Sequence, residues 1–471
     1  MSTTLIKNGT VITATETMAA DVLIDGEKVV ALAAHGSQSW KADTVIDAKG
    51  RYVLPGGIDV HTHMELPFGG TFASDNFETG TRAAAFGGTT TIIDFAVQAK
   101  GGSAMEGYEA WRAKADGRVA IDYGLHMITG DINPQTLKEM GILMDEGVTS
   151  FKLFMAYPGV FYSTDGEIVL AMQRAAEIDA TICMHAENGI AIDVYVQQAL
   201  ARGETDPLYH ALVRKSLLEG EAAHRAIVLA ELTGARLYIV HMSAKEALEE
   251  VKAARDRGLP IFAETCPQYL YFGLEEMGNG FEGAKYVCSP PMRDRKAGHQ
   301  EALWQGLATN DLQIVSTDHC PFCFDEHPEL GIQKKLGLGD FSKIPNGMPG
   351  VEPRYEVMYE GAVNQRGLSV NRFVEITSTT PAKMFGLFPR KGTIAPGTDA
   401  DILIFDPKKK HTISVKTQHM RVDYSAYEGL QVTGKVEKVL SRGRVIVDGD
   451  RYLGKPGDGG FLKRGVSQYG R

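Results

Sequence analysis

The sequence predicts an α/β fold: a TIM-like (β/α)8 barrel carrying a small β-sandwich formed by the N- and C-terminal segments. Three observations point to it. Short β-branched runs occur at both chain ends, eight apolar strand candidates alternate with helical segments between them, and metal-binding residue types recur where those strands end. A length of 471 residues suits one barrel plus a smaller domain, and 44% apolar residues supply a large core.

Residues 1–54 read as meander-like strands at Leu5-Ile6, Val11-Ile12, Val22 to Val30 with an Asp25-Gly26 turn, and Thr44 to Asp47. Residues 386–454 repeat the pattern at Ala400 to Asp406, Lys435 to Leu440 and Arg444 to Gly449, so both ends are expected to build one β domain. The barrel takes 55–385. Its strands are expected around Ile58–Val60, Thr90–Phe95, Tyr123–Met127, Ser150–Phe154, Thr181–Met184, Leu237–Val240, Ile261–Ala263 and Gln313–Ser316. After the sixth, Ser243 and Glu246 have capping-box spacing, and Gly258 with Pro260 ends the helix that follows. The tail, 455–471, is rich in Gly, Lys and Arg without apolar periodicity, and is expected to be mobile or to dock on a neighbouring subunit.

A formal charge of -10 offers no basic field for a phosphate backbone, so nucleic acid is not an expected partner. The N-terminus has no leader pattern and no uncharged apolar run reaches membrane-spanning length, so no membrane association and a cytoplasmic location are expected. Cys183, Cys266, Cys288, Cys320 and Cys323 are few and odd in number, which suits reduced thiols. Cys320 and Cys323 have C-x-x-C spacing with no second such pair, and read as packing residues.

His61 and His63 follow the first strand, Lys152 lies on the fourth, and His185, His241 and Asp318 end the fifth, sixth and eighth. That rim is where barrel enzymes build active sites. His-x-His on an extended chain turns both imidazoles to one face, where they can grip one ion. A metal site of nitrogen and oxygen ligands follows, with zinc the first choice and manganese, cobalt or nickel compatible by ligand type. Lys152 is the odd member, since an ammonium has no lone pair for a metal. By residue type alone it reads as a salt bridge or a charge that binds substrate.

Eight segments together resemble the dihydropyrimidinase and D-hydantoinase family of cyclic amidohydrolases: 55–63 (PGGIDVHTH), 75–81 (DNFETGT), 87–95 (GGTTTIIDF), 150–157 (SFKLFMAY), 183–188 (CMHAEN), 240–243 (VHMS), 264–268 (ETCPQ) and 316–322 (STDHCPF). The resemblance implies two zinc ions, with His61, His63 and Asp318 at one, His185 and His241 at the other, and Lys152 bridging them as an N6-carboxylysine formed with carbon dioxide. It implies a homotetramer arranged as a dimer of dimers, and a small cyclic ureide as substrate. Its chemistry is hydrolysis of the ring amide in 5,6-dihydropyrimidines such as dihydrouracil and dihydrothymine and in 5-substituted hydantoins, giving N-carbamoyl amino acids. Two metals lower the pKa of a shared water toward neutrality, and Asp318 would act as general base and then acid.

By the same resemblance Tyr157 would face the developing oxyanion, and backbone groups of Ser289 (CSPP, 288–291) and Asn346 (PNG, 345–347) would bind the ureide edge. Leu66, Phe68, Phe72 and Phe154 are expected to wall the pocket for the ring substituent. His126 matches no metal position and reads as a core histidine, while Glu187 and His319 are expected to orient neighbouring ligands. His35, His210, His224, His299, His327, His411 and His419 carry no signal.

Two departures stand out. Asp75-Asn76 replaces the more frequent double Asp, and Met64-Glu65 follows His-Thr-His where dihydroorotases carry an arginine for the substrate carboxylate. The second argues against a carboxylated ring. The alternatives are an allantoinase-type ureide hydrolase, which the apolar stretch around Leu66–Phe72 disfavours, and a non-catalytic dihydropyrimidinase-like scaffold, which the retained metal-ligand set disfavours.

Overall fold

Eight parallel strands succeed one another around a barrel in a computed structural model that describes residues 2–470. They are β1 (Gly57–Thr62), β2 (Thr89–Val97), β3 (Asp122–Ile128), β4 (Ser150–Phe154), β5 (Thr181–His185), β6 (Arg236–Ile239), β7 (Ile261–Thr265) and β8 (Ile314–Val315), each beside its predecessor. Nearly every residue in them is buried, as expected for parallel strands covered on both faces. All eight sequence expectations fall on these strands.

Between β1 and β8 no ladder forms among the described residues. Instead the fully buried Arg354 donates Nη1 to the carbonyls of Ile58 (2.9 Å) and Val315 (3.0 Å), one on each side of the seam. Thr317 adds a hydroxyl bond to Asp59 at 2.6 Å, and Thr62 and His319 form an isolated parallel bridge.

The strands of 3–55 and 402–452 join in one mixed ten-stranded sheet, with Leu403 opposite Leu54. It keeps its own core of Ile6, Val11, Val22, Ile24, Ile402, Ile404 and Leu440. Lys391 ties the two bodies together, donating to Asp122 of β3 (2.7 Å) and to Asp401 (2.6 Å), with Asp399 at 3.0 Å. All these side chains are buried.

Two expectations are corrected. The helix Lys245–Asp256 begins at Ala244 without a side-chain cap, so Ser243 and Glu246 form no capping box. Ser243 Oγ donates to the buried Glu219 (2.6 Å) and accepts from Arg293 (2.9 Å), because a desolvated ion pair leaves more unsatisfied than an exposed helix end. The tail docks on its own barrel. Gly460 and Leu462 pair with the main chain of Tyr123, and the buried Arg464 donates to Leu125 O (2.5 Å) and Ser150 Oγ (2.9 Å).

Candidate active site

The C-terminal ends of the barrel strands open into a cavity of about 460 Å³, its mouth included. Lys152, His63, His185, His241 and Asp318 line its floor, with Leu66, Phe68, Ile128, Phe154, Tyr157, Phe161, Ser289, Cys320 and Asn346 around it. His61 lies just beneath. One ligand atom from each of His61, His63 and Asp318 falls within 4.8 Å of the others. Lys152 Nζ stands 3.0 Å from His61 Nε2.

Hydrogen bonds to neighbouring carboxylates orient two of these rings, those of His61 and His185. Asp318 Oδ1 lies 3.2 Å from Nε2 of both His61 and His63. His61 Nδ1 bonds Glu264, which also accepts from Tyr238 OH (2.8 Å) and His241 N (3.2 Å). Burial pushes Glu264 up to about 8, against the pull of those bonds. His185 Nε2 donates to Glu187 at 2.8 Å, leaving its lone pair on Nδ1. Burial opposes ionisation of Glu187, but the bond from His185 prevails and holds its pKa below the usual value. Asp94 brackets His63, accepting from Thr62 Oγ1 and Met64 N, both at 2.8 Å.

These residues fit a metal centre. Burial drives His61 and His241 well below the ordinary imidazole pKa and lowers His63, so all three are neutral with lone pairs available. Among the described residues the buried Nδ1 atoms of His63 and His241 have no hydrogen-bond partner. Burial also lowers the pKa of Lys152, which packs with Nζ 4.3 Å from the Phe95 ring centroid; the neutral amine so favoured is the form that adds carbon dioxide.

The loops that carry the site are strained to aim it. His241, Asp318 and Tyr157 have φ of 40°, 52° and 62°, the left-handed region that non-glycine residues seldom adopt. Tyr157 OH accepts from Asn346 Nδ2 at 3.3 Å, and Asn346 Nδ2 also donates to Ser289 Oγ at 3.0 Å. Phe68 meets Tyr157 edge-on at 5.4 Å, and Phe161 stacks on Phe154 at 5.0 Å.

A pattern describing the Amidohydrolase family matches residues 52–446. The chain belongs to the amidohydrolase family. Among relatives, the D-hydantoinase of Streptomyces coelicolor is 60% identical over 472 residues, covering 99% of both chains. The D-hydantoinase of Geobacillus stearothermophilus is 48% identical, covering 99% of this chain and 97% of its own. The crystal structure of dihydropyrimidinase from Brevibacillus agri superposes with a TM-score of 0.95 at 49% identity, over 99% of both chains. That of an L-hydantoinase (dihydropyrimidinase) from Arthrobacter aurescens has a TM-score of 0.88 at 30% identity, over 98% of this amidohydrolase and 100% of its own chain.

The residues singled out in the sequence converge on this cavity with one exception. Phe72 stands 46% exposed at the base of the Pro67–Phe72 hairpin and does not line the cavity, whereas Leu66, Phe68 and Phe154 do, joined by Phe161. His126 sits in the core below, bonded to Ser150 Oγ (2.5 Å) and Val60 O (2.9 Å). Asp75 and Asn76 divide the work of their pair. Asp75 accepts from His319 Nε2 (3.0 Å), and Asn76 caps the helix Phe77–Phe86.

Sequence reasoning assigned no role to Glu264 or Asp94, although both lie in the quoted motifs. It also passed over His210, whose Nε2 bonds Cys288 O at 2.8 Å beside Ser289. Sequence position places His210 in a helix; only packing brings that helix to the rim.

Proposed function

We propose that this chain opens the ring amide of 5-substituted hydantoins and 5,6-dihydropyrimidines, releasing N-carbamoyl amino acids. The observation that carries the reading is one cavity with three imidazoles, Asp318 and Lys152 on its floor and Leu66, Phe68, Phe154 and Phe161 on its wall. A planar polar ring with an apolar substituent suits both surfaces. The relatives named above as hydantoinases and dihydropyrimidinases support the same reaction class.

His61, His63 and Asp318 would hold one zinc ion, His185 and His241 a second, and Lys152, carboxylated by carbon dioxide, would offer an oxygen to each. When bound, the two cations supply a nucleophile from water at neutral pH and polarise the carbonyl it attacks. Asp318 would take the proton from that water and return it to the departing ring nitrogen, so that the C–N bond breaks with the nitrogen leaving as a neutral ureido NH2. Tyr157 OH donates to the carbonyl oxygen as negative charge develops on it, and burial, which pushes the phenol up to about 12, keeps that proton in place. Main-chain groups of Ser289 and Asn346 face the ureide edge. The apolar residues Ile190, Val194, Leu212 and Leu217, exposed on neighbouring helices, support the expected tetramer. Among the described residues no helix is long and apolar enough to cross a membrane.

The test is hydrolysis of phenylhydantoin, dihydrouracil, allantoin and dihydroorotate side by side, with protein loaded with zinc and bicarbonate. Opening of the first two with the others near background is expected. Allantoin as the fastest substrate would overturn the pocket argument, and full activity of Lys152→Ala would overturn the paired-metal arrangement.

A further inference from the structure

Lys334 is a fully buried lysine outside the metal centre that the proposed reaction does not use. Its ammonium has three N–H donors, and all three are taken by main-chain carbonyls: Val287 O at 3.0 Å, Pro345 O at 2.8 Å and Gly347 O at 2.8 Å. Among the described residues no carboxylate oxygen lies within 4.0 Å of Nζ. A buried charge without a counter-ion is costly, and main-chain dipoles alone compensate this one.

The carbonyls it gathers belong to two particular segments. Val287 precedes Cys288-Ser289, while Pro345 and Gly347 flank Asn346. Gly347 N also bonds Val287 O at 3.0 Å, and Asn346 Nδ2 reaches Ser289 Oγ at 3.0 Å, so the two segments run side by side with Lys334 behind them. The preceding residue, Gln333, is equally buried and faces the other way. It accepts from Cys323 N at 2.7 Å and donates to Phe72 O (2.7 Å) and Thr71 Oγ1 (3.1 Å) of the hairpin that carries Phe68. One short turn thus ties the ureide-facing loops to the pocket wall.

We propose that Lys334 is a positioning residue for substrate recognition: its ammonium sets the gap between the Ser289 and Asn346 main chains, and so the fit of the ureide edge. This rests on the ring-opening function proposed above. Removal of the ammonium frees two loops that no other side chain clamps at three points, and leaves three carbonyls without their donor. A ring that presents a full ureide edge loses the most. A cyclic imide with CH2 in place of one ureide N–H uses only part of that fit, and loses less.

The experiment compares kcat/KM for hydantoin and succinimide in wild-type protein, Lys334→Met and Lys334→Gln, with metal content and Tm measured on each. The Gln variant keeps donors at the position should Met prevent folding. The expected result is a fall of at least about tenfold in the hydantoin-to-succinimide ratio for Met, carried by KM, with a smaller fall for Gln and metal content unchanged; misplacement by about an ångström has effects of this order or larger. An equal fall for both substrates would mark Lys334 as merely structural, and an unchanged ratio in a folded, metal-loaded variant would overturn the proposal. Wild-type protein that opens neither ring would instead overturn the function on which it rests.

Discussion

Replacing Tyr157 by Phe removes one hydroxyl and leaves the ring in place. The hydroxyl of Tyr157 accepts from Asn346 at 3.3 Å, so its own proton is free for the substrate oxygen. Both side chains share the same β-carbon geometry, so the left-handed backbone at φ 62° is no harder for Phe than for Tyr. The ring contacts with Phe68 and His185, both at 5.4 Å between centroids, survive the change. What is lost is the bond accepted from Asn346 and, with it, the donor aimed at a developing oxyanion; loss of such a donor costs about 10²- to 10³-fold in kcat, or about 2.7–4 kcal/mol of transition-state stabilisation. KM should change little, because the donor matters most after charge has formed. Burial holds the phenol near 12, so its titration lies beyond the assay range and the pH profile of the variant should keep the wild-type shape. Steady-state hydrolysis of phenylhydantoin across pH, with Tm as a control for folding, measures all three quantities. A kcat within tenfold of wild type, or the loss of an existing pH limb, would refute the assignment.

Glu264→Gln should weaken metal binding about 10- to 100-fold in a competition titration with a chelator, because the carboxylate orients His61 and anchors His241 N. Lys391→Met leaves Asp122, Asp399 and Asp401 without their shared cation and should destabilise the protein by about 3–5 kcal/mol in chemical denaturation, whereas a loss under about 1 kcal/mol would show that the clamp is not needed. Burial pushes Asp399 up, but Lys391, Lys28 and Arg390 together hold it down to about 2, below its ordinary 3.8. The folded-state pKa is thus the lower one. Its contribution is present above about pH 4 and lost as pH falls toward 2, and Asp399→Asn should flatten the stability curve in that window.

The barrel was legible because parallel strands covered on both faces must be apolar throughout, and the metal residues because each interrupts such a strand at its end. His61, His185 and Asp318 are polar groups where hydrophobic patterning stops, and that pattern survives in one dimension. Glu264, Asp94 and Lys334 are not legible in this way. Each bonds atoms well separated along the chain, 203 residues for His61 and Glu264, 32 for Thr62 and Asp94, and 47 for Val287 and Lys334, and a lone acid or lysine carries no spacing that names its partner. Ser243 shows the converse. Its local spacing with Glu246 is right for a cap, but the buried pair Arg293–Glu219 claims the hydroxyl, and the stronger unsatisfied demand decides. The tail misled for a related reason: Arg464 and Leu462 look like solvated, aperiodic chain until the underside of the barrel is there to receive them.

The seam between β1 and β8 gives the metal ligands a second role. His61 and His63 stand on one lip of that seam and Asp318 on the other, above the Arg354 guanidinium that bridges its lower end. An ion held by that trio would stitch the barrel shut where its hydrogen-bond ladder is missing. Holding metal and holding the cylinder closed would then be a single free energy, read out either as affinity or as resistance to unzipping.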